Sequence, residues 1–118
     1  MRKSVAQIQK DHPEEYDRFR FHRLPGHMQH GFIDYIFNGT PMGHFGRAVL
    51  SNQLVEAFNR ADADNTARMR DTAAWLYNYC PTEARGSEEK VAAWEWGGGL
   101  FGLWEQAAKE AANVDSTE

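Results

Sequence analysis

Two histidines and an aspartate are spaced so that one helical face could carry all three. His27, His30 and Asp34 are separated by three and four positions, and side chains at these spacings lie on the same side of an α-helix. Imidazole and carboxylate groups are ligands of zinc and related divalent metals. The segment lacks the HExxH pattern of zinc hydrolases, and the single cysteine supplies no pair of thiolates. A metal site is therefore one interpretation, and an exposed polar face is the simpler one.

Glycines and a basic residue surround the start of a predicted helix at Gly43. Free backbone amides at a helix N-terminus attract anions, and His44 and Arg47 in the first turn could contact a phosphate or carboxylate. The stretch NGTPMGHFGR matches neither GxGxxG nor GxxxxGK[ST], and no strand is predicted before it. These residues indicate either a site for a small anionic or nucleotide-like ligand, or a tight junction between two helices.

A third group of polar residues follows helical spacing further along the chain. Asn52, Glu56 and Asn59 form a polar line on one predicted helix. Arg68 and Trp75 lie on the non-core side of the next. Buried polar groups must be paired, so these lines either tie helices together through hydrogen bonds or surround a pocket for a polar ligand.

No side chain has the neighbours of a catalytic nucleophile. Cys80 precedes Pro81 on a predicted buried face, which is typical of an inert core thiol. Ser51 has no base within local reach, and the carboxylates form no clear acid–base pair. The sequence therefore predicts a protein that is not an enzyme and has no bound cofactor.

The spacing of apolar residues predicts an all-α protein. The alternation typical of strands is almost absent, and helical periodicity recurs along the chain. We expect a single domain, a compact bundle of about five or six helices. It would comprise a charged N-terminal helical arm over residues 1–24, a helical core domain over 25–113 and a frayed tail over 114–118.

Four helices carry most of this prediction. One, over residues 26–38, is mainly core and ends at Asn38-Gly39 as at a C-terminal cap. A long central helix runs over about residues 43–61 and would bury Leu50, Leu54 and Phe58. The next begins at position 62 or 64, ends at 80 and would bury Met69, Ala73, Leu76, Tyr77 and Cys80. After a break at GGG, residues 97–99, the last helix carries an apolar stripe.

Two tryptophans are candidates for contacts between chains. Trp94 and Trp96 are two positions apart, so in a helix they point to nearly opposite sides and one must face outward. Trp96 and, on the stripe of the last helix, Trp104 are the proposed interface residues, and we expect a homo-oligomer.

Composition argues against several classes of function. The chain has 118 residues, of which 42% are hydrophobic and 25% charged, which fits one globular domain. No apolar run is long enough to cross a bilayer, no export signal is visible and one cysteine fits a reducing compartment, so we expect a cytoplasmic protein. The net charge is −4, and residues 61–118 carry five basic against eleven acidic side chains. Duplex DNA is therefore not an expected partner.

Several short motifs occur together along residues 25–96. They are P-x-H-M at 25–28, a variant G-x-P-x-G-x-F at 39–45, A-V-L-x-N-x-L at 48–54, A-D-x-x-N at 61–65, L-Y-N-x-x-P at 76–81 and G-S-x-E-x-V-x-x-W at 86–94. With these motifs the sequence resembles a group of small proteins encoded by tailed bacteriophages and prophages, and this chain has Ala84-Arg85 where those proteins often have Cys-Trp. The resemblance implies phage origin and a helical fold, and it brings no activity or catalytic residues with it.

Three functional hypotheses follow. The first is a non-enzymatic phage accessory protein in the host cytoplasm, which binds a host protein or sequesters a small polar or nucleotide-like ligand and so antagonises a host process such as defence. The second is an assembly or structural interaction protein of a phage. The third is a metal-dependent hydrolase built on the histidines and aspartate described first.

Overall fold

Nine α-helices and three short 3₁₀ turns form the chain in a computed structural model, which describes residues 2–117. No strand occurs in that range, so the prediction of a single all-α domain is confirmed. The turns lie at Phe21–Arg23, Gly26–Met28 and Thr82–Ala84. The helices are α1 (Val5–Asp11), α2 (Pro13–Arg18), α3 (Gln29–Asn38), α4 (His44–Leu50), α5 (Leu54–Arg60), α6 (Ala63–Ala67), α7 (Met69–Asn78), α8 (Glu88–Gly97) and α9 (Gly99–Thr117).

The helix count of five or six was wrong because both long helices predicted in the middle of the chain are interrupted. The first ends at Leu50, where Asn52 adopts a left-handed backbone with φ 63°. The amide of Gln53 donates to the carbonyl of Ala48, and that of Asn52 to Val49. This is the Schellman arrangement with asparagine in the position that glycine usually takes, and it satisfies the last carbonyls of α4. The second long helix is interrupted at Arg68, between α6 and α7.

The interruption after α4 changes which side of the following helix is buried. Leu54 and Phe58, predicted to be in the core, are exposed, and on α5 it is Ala57 that is buried. On α7 the predicted face is wrong in part, since Ala73 and Tyr77 are exposed while Thr72 and Trp75 are buried. Met69 and Leu76, also predicted on that face, are partly buried against the core. Leu50 and Cys80 are buried as predicted.

α3 belongs mainly to the core, as predicted. Five of its ten residues are buried apolar side chains, and Gly39, with φ 75°, ends it. Residues 1–24, predicted as an arm, also contribute to the core through Ile8, Phe19, Phe21 and Leu24. The buried apolar side chains of α3 are Phe32, Ile33, Tyr35, Ile36 and Phe37.

Polar groups on buried aromatic side chains are paired with backbone carbonyls. The hydroxyl of Tyr35 donates to the carbonyl of Ala84 at 2.6 Å, and the indole of Trp94 donates to the carbonyl of Tyr35 at 2.9 Å. The two bonds connect α3 to α8 and to the turn before α8. They also stabilise the fold, because a buried donor without a partner would destabilise it.

α9 packs on the body of the protein only near its start. Leu100, Phe101 and Gly102 are half-buried, and residues 103–112 are exposed. A helix of 19 residues is about 28 Å long, and the molecule measures 57 × 30 × 22 Å. α9 therefore projects from the body. The helix runs through most of the predicted frayed tail, and the last residue of that tail lies outside the described residues.

Within residues 2–117, no helix combines the length and the apolar composition that a membrane crossing requires.

Candidate functional site

Two residues of the predicted metal site, His27 and Asp34, make contacts elsewhere. Asp34 accepts hydrogen bonds from Arg2 at 2.7 Å, Asn38 at 2.8 Å and Thr40 at 2.9 Å. Nε2 of His27 lies 3.6 Å from a carboxylate oxygen of Asp62. Among the described residues, no three His, Cys, Asp or Glu side chains are placed to hold a metal ion. His27, His30 and Asp34 thus do not meet as a ligand set.

The segment around Gly43 is a junction of two helices. A Cβ at Gly46 would lie 2.7 Å from Cε of Met42, and one at Gly31 would lie 3.0 Å from the same atom. The two glycines therefore let the Met42 side chain fit between α3 and α4. Nη1 of Arg47 donates to both carboxylate oxygens of Glu95, at 3.2 and 2.9 Å. This contact joins α4 to α8 and neutralises the charge that an anion would use.

The predicted polar lines do not form one continuous site. Glu56 accepts a hydrogen bond from Arg60 at 2.7 Å, and Nε of Arg68 donates to Asp71 at 2.9 Å. Asn52 forms the turn after α4, and Asn59 is exposed.

Trp75, the aromatic residue proposed to bind a ligand, is in the core. Its side chain is 1% exposed, and its indole nitrogen donates to the carbonyl of Phe19 at 2.7 Å. Its ring centroid lies 5.2 Å from that of Phe32 and 5.7 Å from that of Phe21. The ring is thus almost inaccessible to a ligand.

Three of the eight predicted ligand-binding residues do meet in one pocket, between α4, α5 and the start of α8. The pocket has a volume of about 170 Å³. We call it the α4–α8 pocket, and its polar lining is His44, Arg47, Ser51, Gln53, Glu56 and Glu88.

Two members of this lining, Gln53 and Glu88, were missed by the sequence analysis. They are 35 positions apart, and Nε2 of Gln53 donates to Oε1 of Glu88 at 2.9 Å. No local spacing could have paired them. From the sequence, Ser51 is weighed only as a catalytic nucleophile and not as a residue that lines a pocket.

Ser51 has an unusual environment for a hydroxyl group. The residue is 6% exposed, and its Oγ makes no hydrogen bond to any described residue. A buried polar atom without a partner destabilises a protein by about 1–3 kcal/mol. Such an atom needs an explanation, because more than nine in ten buried polar groups are paired.

An apolar surface lies on the other side of α5. Leu54 is 66% exposed, Val55 84% and Phe58 46%, and we call these three side chains the α5 face. Next to them is a groove of about 130 Å³ between α4, α5 and α7. Its apolar lining includes Val49, Leu54, Ala57, Met69, Ala73 and Leu76.

The two proposed interface tryptophans have different surroundings. Trp96 is 94% exposed while Trp94 is buried, which confirms that one of this pair faces outward. Trp104 is partly covered, because its ring lies 5.4 Å from His12 and 5.5 Å from Phe101.

Cys80 has the properties of a core thiol. Burial raises its pKa to about 12, with the nearby Glu83 adding to the shift and Arg85 opposing it. At neutral pH the group is therefore a thiol, and a thiolate nucleophile is not formed. Burial also raises the pKa of the Tyr35 hydroxyl above its usual value.

Comparison of the chain with protein-family models, with curated proteins and with solved structures finds no match.

Proposed function

We propose that the protein is a non-enzymatic binding module that docks on another protein through the α5 face. The supporting observation is the outward orientation of three large apolar side chains on one short helix, beside an apolar groove. Single exposed apolar residues are common on protein surfaces, but a contiguous patch marks an interaction site. Each such side chain contributes about 1.5–3 kcal/mol when fully buried, so docking over the patch would be favourable.

The groove suggests how a partner is held. Its lining is mainly apolar, and its polar members are Asn52, Gln53 and Thr72. A partner helix could insert one apolar side chain into the groove and lay its neighbours across the α5 face, as in other helix-in-groove complexes. In line with the resemblance to phage proteins, we propose that the partner is a host protein and that the module acts by occupying it stoichiometrically.

The test is Val55→Lys, which places a charge at the centre of the α5 face. Because Val55 is exposed, stability should change by less than about 0.5 kcal/mol. Binding should weaken at least about tenfold, since a buried unpaired charge opposes docking. The measurement is capture of partners from a bacterial lysate by the tagged protein, followed by the Kd of the captured protein.

Ala92→Lys is the matched control, because Ala92 is an exposed residue on a different helix, α8. It should capture the partner as the parent protein does. A partner retained equally by the Val55 and Ala92 variants would show that the α5 face is not the docking surface.

A second candidate function, self-assembly, is favoured by α9. Leu100, Trp104, Ala107 and Ala111 follow the 4-3-4 spacing of a coiled-coil seam, while Glu105 and Lys109 lie on the outer side. The exposed part of the helix makes this seam accessible over residues 103–112. Helices in proteins are stabilised mostly by tertiary packing, so pairing with a second copy of α9 would stabilise the turns that project from the body.

Ala107→Glu tests this assembly. A carboxylate in the seam should shift the protein from dimer to monomer in sedimentation velocity, because pairing would bury an uncompensated charge. Ala112→Glu makes the same exchange on the outer side of the helix and should leave the mass unchanged. A parent protein that is monomeric at high concentration would remove this candidate.

A further inference from the structure

Basic side chains alternate with buried aromatic ones between α2 and α3. Phe19 and Phe21 are 8% and 1% exposed, and both belong to the core. Arg20, between them, has φ 52°, a left-handed backbone conformation that turns the chain there. With the two aromatic rings in the core, the basic side chains of this segment lie on the surface. They are Arg18, Arg20, His22 and Arg23.

Two of these arginines keep their charge available. No salt bridge joins Arg18 or Arg23 to a carboxylate among the described residues. Instead Cζ of Arg18 lies 5.9 Å from the ring centroid of Phe19, and Cζ of Arg23 lies 5.5 Å from that of Tyr79. Contact with an aromatic ring does not use the N–H donors of a guanidinium group. Arg18 and Arg23 can therefore bind an anion without first breaking an ion pair.

Two open cavities on this side of the molecule meet at α7. One, of about 420 Å³, lies between Arg18 and the start of α9, and the other, of about 180 Å³, lies beside Arg23. Asn78 and Tyr79 line both cavities, so the two form one continuous surface. We call it the α2–α7 surface, and its lining includes Arg18, Arg23, Arg68, Asn78, Tyr79 and Trp104.

The α2–α7 surface has a positive balance of charge although the whole chain has a net charge of −4. Its lining has three arginines against one carboxylate, Asp71, which accepts a hydrogen bond from Nε of Arg68 at 2.9 Å. The charges of that pair cancel, which leaves those of Arg18 and Arg23. The acidic side chains of α2 line neither cavity, and they are Glu14, Glu15 and Asp17. The surface therefore attracts an anionic partner.

The groups beside the two arginines indicate the class of anion. Trp104, which lines the larger cavity, is 38% exposed and offers a ring on which a base can stack. Nδ2 of Asn78 donates to the carbonyl of Ala74 at 2.9 Å, which leaves Oδ1 of Asn78 to accept a hydrogen bond from a base. An acidic peptide would use the guanidinium groups but neither of these features, and duplex DNA keeps its bases stacked inside the helix. We propose that the α2–α7 surface binds single-stranded nucleic acid, with phosphates on Arg18 and Arg23 and a base on Trp104.

Fluorescence anisotropy of labelled oligonucleotides with the full-length protein tests this proposal. The probes are oligothymidylate and oligouridylate of about eight nucleotides, a length within the range that one single-strand site covers. The comparators, of the same length, are an abasic strand, duplex DNA and oligoglutamate. We expect saturable binding of at least one single strand, and every comparator should bind at least about tenfold more weakly, because none presents unstacked bases together with phosphates. Absence of saturable binding of both single strands in low salt, or a comparator that binds as tightly, would overturn the proposal.

The salt dependence of the affinity identifies the arginines that contact phosphates. Each phosphate contact contributes about 0.7 to the slope of log Kd against log salt concentration for a single strand. Arg18→Ala and Arg23→Ala should therefore each weaken binding at least about threefold and lower this slope by about 0.7. Both side chains are exposed, so both variants should unfold at the urea concentration of the parent protein. A slope that neither variant changes would rule out phosphate binding at this surface.

Arg60→Ala is the matched control for the two arginine variants. Arg60 is an exposed residue of α5 that lines neither cavity, and its Nε donates to Glu56 at 2.7 Å. The exchange lowers the net charge as much as the other two do, and it should leave Kd and the slope unchanged. An equal loss of affinity in all three variants would show that overall charge governs binding and would contradict the proposal. The α2–α7 surface shares no lining residue with the groove beside the α5 face, so these results are independent of protein docking.

Discussion

Replacement of Gly99 by alanine is expected to lower the free energy of unfolding by about 3 kcal/mol. Gly99 has φ 65°, a left-handed conformation that destabilises an alanine by about 1–2 kcal/mol. A Cβ there would also lie 2.6 Å from the amide nitrogen of Gly39 and 2.7 Å from the carbonyl oxygen of Ile36. These are backbone atoms that cannot move aside without displacing α3 from α9, and overpacking of this kind adds about 1–3 kcal/mol.

Urea denaturation followed by circular dichroism measures this effect. Gly26→Ala is the matched control, because no atom lies within 4 Å of a Cβ at that position and its φ is not left-handed. Its stability should be within about 0.5 kcal/mol of the parent value. If the Gly99 and Gly26 variants unfold at the same urea concentration, α3 and α9 do not approach each other as closely as described.

The crossing at Gly39 and Gly99 illustrates how far sequence reasoning reaches. Local signals predict both glycine positions as helix boundaries. Asn38-Gly39 forms a C-terminal cap, and the three glycines at 97–99 separate α8 from α9. That the two glycines contact each other could not be predicted, because they are 60 positions apart and periodicity describes only one helix at a time. Helix type and core membership of α3 were therefore accessible, while helix packing was not.

The α5 helix shows a different limit. Its apolar periodicity was recognised, but the Schellman cap at Asn52 was not, and the cap turns the chain so that Leu54 and Phe58 face outward. Asparagine tolerates the left-handed conformation, so this signal was present in the sequence. The periodicity of a helix indicates that one side is apolar, and only the direction of the helix decides whether that side meets the core or a partner.

The candidate pocket was predictable in part. His44, Arg47 and Glu56 were selected for their chemistry and do line the α4–α8 pocket. Gln53 and Glu88 come from segments that meet only in the folded chain. Long-range contacts decide which polar residues share a pocket, so chemistry alone selected a wider set of residues than the fold brings together.

Replacement of Trp75 is the second change for which we expect a large loss of stability. The sequence predicts this residue on a ligand-binding surface, but in the structure it is buried in the core. Trp75→Ala should lower the free energy of unfolding by about 4 kcal/mol, through the loss of packing against Phe21 and Phe32 and the cavity left behind. Domains of this size are stabilised by about 5–15 kcal/mol, so this loss removes a large part of the total stability. Thermal and urea denaturation of the purified variant measure the change.

Two further variants distinguish a core role from a binding role. Trp75→Phe keeps an aromatic ring but leaves the carbonyl of Phe19 without its donor, so it should destabilise the protein by about 1–3 kcal/mol, less than alanine does. Trp96→Ala removes an equally large side chain from an exposed position and should change stability by less than about 0.5 kcal/mol. A Trp75→Ala protein as stable as Trp96→Ala would contradict the buried position of Trp75. We expect the free energy of unfolding to rise from Trp75→Ala to Trp75→Phe to the parent protein. The alanine variant loses both the packing and the indole hydrogen bond, whereas the phenylalanine variant loses mainly the hydrogen bond.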